Sequence, residues 1–186
     1  LGRRERRADV GPVIRALRAG GVTAPISIDT RKAQVAEAAL DAGASLVNDV
    51  AALTYDAGLA TLVASRGVPL CLMHAQGTPA TMQVDPTYDD VLLDVYDFLE
   101  ERIEAAEAAG IPRDRIITDP GIGFGKNIQH NLKLIRGLSL FHGLGCPILL
   151  GASRKRFIGT IGHAPEADQR GPGTLAVTFA GLAQGV

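Results

Sequence analysis

Cysteine is scarce: only Cys71 and Cys146 occur in 186 residues. Each sits in an apolar stretch, VPLCLMH and CPILLG, where cysteine behaves as a small buried hydrophobe, and the two lie too far apart for a CxxC zinc pair. The expectation is a reduced, cytoplasmic protein. No apolar run approaches the roughly 18 residues of a membrane span, and no charged start followed by an apolar block marks a signal peptide, so the chain reads as soluble. Neither sign of charge dominates, with 19 basic and 20 acidic residues and a net charge of -1, so no overall field draws nucleic acid or an anionic membrane. The opening LGRRERR is locally basic but has no interleaved aromatics, and it reads as a solvated helix face.

Motifs are missing as well. The histidines at 74, 130, 142 and 163 make no HExxH pattern, and no GxSxG elbow occurs. The glycine-rich 121–125, GIGFG, is neither a GxGxxG dinucleotide turn nor a Walker A loop. A catalytic triad, a zinc site and a dinucleotide fold all lack support.

What is present is a length and an apolar content, 46%, suited to one core, so the expectation is a single domain over 1–186. Apolar residues at helical spacing over 10–17, ended by Gly20 and Gly21, precede the first of five apolar runs. APISIDT, SLVNDV, VPLCLMH, RIITD and CPILLGAS read as strands. Helices are predicted over 31–43, over 58–65, from near Tyr88 to Gly110, over 132–140 and from 174 onward. The helix near Tyr88 carries Val91, Val95, Phe98, Leu99, Ile103 and Ala106 on one face, with Thr87 as its expected N-cap and Asp90 three residues on. The stretch 75–87, AQGTPATMQVDPT, reads as a loop, and Gly185 and Val186 as a helix end and the start of a further strand.

Strands apolar throughout, alternating with helices, indicate a parallel sheet under helices, either doubly wound or a (β/α)8 barrel. The strand ends discriminate. They present Asp29, then Asn48 and Asp49, then Met73 and His74, then Asp119, then Ser153, Arg154 and Lys155. Five consecutive polar ends suit a barrel mouth and could not all border one switch point. Each has a plain structural reading too: Asp29 with Thr30, and Asn48 or Asp49, as caps or turns, His74 as a structural hydrogen-bonding group, Met73 as core, and 153–155 as a basic helix start, although positive charge there opposes the helix dipole.

SIDT, NDV, LMHAQGTPATMQ, DPGIGFGK and GASRKRFIG, in this order, resemble the dihydropteroate synthase family of pterin-binding enzymes over nearly the whole chain. The resemblance implies a (β/α)8 barrel and the condensation of hydroxymethyl-dihydropterin pyrophosphate with p-aminobenzoate in folate biosynthesis. It implies Asp29 beside the methylene cation, Asn48 and Asp119 on the pterin's edge, Lys155 on its ring oxygen and nitrogen face, and Met73 and Gly151 in the pocket. Asp29 and Lys155 would be the catalytic residues. For the second substrate it implies Phe124 near the aminobenzoate ring and Arg156, where many members have serine, bordering the carboxylate. Sulfonamides would bind there as mimics.

Other parts of the family pattern are expected to be missing. A first strand with an asparagine linked to magnesium and pyrophosphate, a second strand region with two mobile loops, and a last strand bearing an arginine and a histidine would lie outside the chain. The chain thus reads as a fragment truncated at both ends, with no metal ligand of its own, and is expected not to turn over alone. The resemblance also implies a homodimer through helices near the C-terminal part of the barrel. Two alternatives stay open: a methyltetrahydrofolate corrinoid methyltransferase, which GASRK disfavours, and a non-catalytic pterin-binding module. In DPGIGFGK, the glycines would let the backbone run close under a flat ring, and Lys126 reads equally as a solvated loop or helix-start residue or as a ligand.

Overall fold

Short, largely apolar runs become parallel strands in the computed structural model, which describes residues 3–77 and 86–186. The strands are β1 (Ser27–Asp29), β2 (Leu46–Asp49), β3 (Leu70–Met73) and β4 (Ile116–Asp119). The helices are α1 (Arg3–Ala19), α2 (Ala33–Asp41), α3 (Gly58–Arg66), α4 (Val91–Ala108), α5 (Ile128–Arg136), α6 (Arg156–Ile161) and α7 (Gly171–Leu182). Residues 78–85, most of the loop expected after β3, lie outside the described residues, as do Leu1 and Gly2.

Two units emerge, one of Leu1–Leu72 with Arg102–Ile117, the other of Met73–Glu101 with Thr118–Val186. In the first, the strands run in the order β1-β2-β3-β4, with Ile28 opposite Val47 and Asn48 opposite Cys71. Val47, Leu70, Cys71, Leu72 and Ile116 are fully buried. That explains why β3 shows no polar alternation, being covered on both faces, whereas β1 alternates with only Ile28 buried. Gly67, in the left-handed region at φ 61°, ends α3.

The second unit holds the ends of β3 and β4, where His74 N donates to Asp119 O at 3.0 Å. The fifth expected strand shrinks here to one parallel bridge, Thr118 with Ile148. Thr118 N donates to Pro147 O and Leu149 N to Thr118 O. Pro147 has no N–H to offer the ladder, and the chain leaves it after two bonds.

Helix boundaries differ from the expectation where caps decide them. α4 begins at Val91, because Asp90 Oδ1 accepts from Leu92 N at 2.9 Å and Leu93 N at 3.4 Å; the cap is Asp90, not Thr87. Its periodic face holds, with Val91, Val95, Leu99, Ile103 and Ala106 buried. α5 starts earlier than expected, at Ile128, behind an Asn127 capping box with His130. It ends at Arg136, and the chain continues as a 3-10 helix, Leu138–Leu144. Val186 N turns back to Gly181 O and closes the end of α7. No helix among the described residues is long and apolar enough to cross a membrane.

Candidate active site

In the first unit, β1 delivers Asp29 to an exposed position lining a cavity of about 370 Å³ with Val10, Ile28, Thr30, Arg31 and Val35. The capping reading for Asp29 fails, since the first amide of α2, Ala33 N, is taken by Asp56 Oδ2 at 2.9 Å. Thr30 makes only a local turn, its Oγ1 accepting from Lys32 N at 3.2 Å.

The neighbouring pair on β2 divides its labour. Asp49 is fully buried, and its carboxylate accepts from Ala51 N at 2.9 Å and Leu53 N at 2.7 Å. These bonds hold Ala52 and Leu53 at φ 46° and 65°, a conformation that costs side chains of this kind of order 1 kcal/mol each. Burial pushes the Asp49 carboxyl up, against the pull of those two amides and of Arg31. Asp49 is thus the turn former. Asn48 is different: its Oδ1 is buried with no hydrogen-bond partner, an acceptor without the donor that a buried amide normally has.

The second unit gathers Met73, Asp119, Phe124, Gly151 and Lys155. Met73 is buried at the end of β3. Asp119 Oδ1 accepts from Gly121 N at 2.7 Å, while Oδ2 faces Gly151, 3.6 Å from where a side chain's first carbon would stand. Burial pushes the Asp119 carboxyl up to about 6, although the Gly121 amide and then Lys126 and Lys155 pull it down. Lys155 is the residue before α6, so the basic helix start is real; its Nζ rests 4.0 Å from the centre of the Phe124 ring. Burial pushes that ammonium down, with Asp119 opposing. Arg154, at φ 51°, is held by Thr174 Oγ1 on its amide and by Arg170 Nη1 on its carbonyl.

Arg156 opens α6 and lines a cavity of about 450 Å³ with Gly123, Asn127, Arg154, Lys155 and Phe157. No carboxylate lines that cavity among the described residues, so it suits an anionic group.

Lys126 departs from its reading as a solvated residue, and His74 keeps its plain reading as a structural hydrogen-bonding group. Lys126 is 3% exposed and His74 6%, and Lys126 Nζ lies 2.8 Å from His74 Nδ1. Burial pushes Lys126 down to about 7, with Asp119 opposing and Lys155 adding to the fall. It is neither solvated nor a simple helix start.

For magnesium, no three His, Cys, Asp or Glu side chains gather closely enough to hold a metal ion among the described residues.

Parallel β/α units with carboxylates, an amide and a lysine at strand ends define a class that comparison makes explicit. The chain belongs to the pterin-binding enzyme family, whose sequence model matches residues 3–186. Within that family it is similar to dihydropteroate synthases. It is 42% identical over 180 residues to that of Neisseria meningitidis serogroup C, covering 96% of this chain and 63% of the relative. The Stenotrophomonas maltophilia enzyme superposes with a TM-score of 0.94 at 40% identity, over 99% of this chain and 69% of that one. The Xanthomonas albilineans enzyme in complex with 7,8-dihydropteroate gives 0.86 at 43% identity, over 94% and 63%. These neighbours are (β/α)8 barrels, and the parallel units described above fit a part of that barrel. The chain thus spans just under two thirds of the length of its Neisseria relative.

Proposed function

We propose that this chain carries the pterin and aminobenzoate subsites of a dihydropteroate synthase. The observation that carries the reading is the Asp119, Gly151, Lys155 and Phe124 group. A pterin is a flat ring with N–H donors along one edge and a ring oxygen and nitrogen on another. Asp119 Oδ2 offers the carboxylate acceptor over an open glycine, and Lys155 offers a donor beside it. The Xanthomonas relative holds 7,8-dihydropteroate, in which both substrates are joined.

In the proposed reaction the C–O bond to pyrophosphate breaks and the methylene becomes a cation delocalised over the pterin. The aminobenzoate nitrogen then donates its electron pair to that carbon and loses a proton. A carboxylate fixed in place before the charge develops lowers the barrier most, and this is the role proposed for Asp29. Met73 supplies apolar surface, Phe124 packs against the second ring, and Arg156 meets its carboxylate. Magnesium, pyrophosphate contacts and a homodimer belong to the same proposal, at the level of the whole enzyme.

Asn48 is proposed to hydrogen-bond the pterin edge, and its unpartnered Oδ1 supports this. Asn48→Ala is expected to change stability by no more than about 1 kcal/mol, because removing an orphan acceptor offsets the lost packing. Pterin affinity should fall at least tenfold. A stability loss with unaltered affinity would return Asn48 to a structural role.

The whole reading is tested by titrating the chain calorimetrically with a pterin, with dihydropteroate and with methyltetrahydrofolate. The expected order is dihydropteroate tightest. A preference for methyltetrahydrofolate would favour the corrinoid methyltransferase, and no binding to any of the three would overturn the proposal.

A further inference from the structure

The buried pair of His74 and Lys126 has no part in the roles assigned above. Phe124 sits between Gly123 at φ 84° and Gly125 at φ 61°, glycine positions that set few limits of their own on the backbone. Gly123 N is tied to Asn131 Oδ1 at 2.7 Å, and further bonds hold the rest. Lys126 Nζ donates to Phe124 O at 3.0 Å and reaches His74 Nδ1 at 2.8 Å. Tyr88 Oη donates to Gly125 O at 2.7 Å. His74 is itself fixed, its amide on Asp119 O and its ring edge-on to Phe98 at 4.9 Å. Below about pH 7, where Lys126 is charged and only donates, His74 Nδ1 accepts and its ring proton stays on Nε2.

We infer that Lys126 is a positioning residue: anchored on His74, it fixes the Phe124 carbonyl and through it the ring on which Lys155 Nζ rests. This builds on the aminobenzoate role proposed for Phe124. The groups facing Lys126 are His74 after β3, Asp119 ending β4, Lys155 before α6, His130 on α5 and Tyr88 before α4. The Lys126 charge lowers the titration of Asp119 and of His130. Removing it therefore leaves a mark that a mere packing residue would not: the pH at which Asp119 ionises moves up.

The test compares calorimetric affinities of the chain for a pterin and for dihydropteroate at pH 8, with the pterin titration repeated from pH 5 to 8. Lys126→Met is expected to weaken dihydropteroate about tenfold while leaving the pterin within twofold at pH 8, and to raise the midpoint of the pterin's pH dependence. His74→Leu should lower the dihydropteroate-to-pterin preference about tenfold too. His74→Asn, which places an acceptor oxygen near the Nδ1 position, should restore it. If Lys126→Met does not fold, the two His74 variants decide the matter alone. An unchanged preference in Lys126→Met and His74→Leu, or no rescue by His74→Asn, overturns the inference while leaving the pterin site standing. A parent chain that binds neither ligand overturns both.

Discussion

Asp119→Asn is expected to lose pterin affinity about a hundredfold and to become more stable at the same time. The carboxyl titrates near 6 in the folded chain instead of 3.8, chiefly through burial. Between those values the folded state keeps a proton that the unfolded state has released, so stability falls as pH rises across this window, and the full cost stands above it. That cost is of order 3 kcal/mol at neutral pH. Asparagine removes it while keeping an acceptor for Gly121 N, and the pull of Lys126 and Lys155 is already contained in the shift, so a net gain of up to about 3 kcal/mol is expected. The proposed pterin role supplies the reason to keep the acid, since an ionised carboxylate binds N–H donors about twice as strongly as a neutral acceptor. Pterin affinity of the parent should therefore climb through about pH 6, and that of the variant should be flat there. Urea denaturation and calorimetry at pH 5 and 8 check both halves. A variant that is destabilised, or that keeps the parent's pH profile, would contradict this account.

The second large effect concerns the chain's path. Gly121→Ala is expected to cost at least 3 kcal/mol and to leave little folded protein. Gly121 has φ 69°, and a methyl there would stand far inside contact distance of the His74 carbonyl oxygen and 2.9 Å from its carbon. Backbone cannot swing aside as a side chain can, so the end of β3 would have to move. Gly67 is the control: its φ is 61°, but nothing lies within 4 Å of the added carbon. Gly67→Ala should cost only the conformational penalty, about 1 kcal/mol. Urea midpoints of the two variants measure the difference, and equal losses would show that strain alone, rather than the clash, sets the cost.

The residues that local pattern governs were readable in advance. VPLCLMH and RIITD announce strands because both faces of a parallel strand are largely apolar, and 91–106 announces α4 through its spacing. Boundaries were less readable, since Asp90 and Asp56 act as caps through side-chain geometry that spacing does not encode. Local pattern alone does not tell Asn48 from Asp49, although the resemblance singles out Asn48; their partners separate the turn former from the unpaired acceptor. Lys126 was the least readable of all. Its burial depends on His74, 52 positions earlier in the chain, and nothing in a glycine-rich octet tells a solvated ammonium from one folded inward. The glycines themselves gave a fair hint, because only a tight path explains so many of them.

DPGIGFGK also bears on how the family's site can vary over time. At 121 and 125 a side chain would collide with the His74 and Gln76 backbone; Ile122 is fully buried and Lys126 nearly so. Phe124 alone in the stretch 121–126 combines a side chain with partial exposure. Under the aminobenzoate role proposed for Phe124, selection acting on this stretch has a single ring to work with.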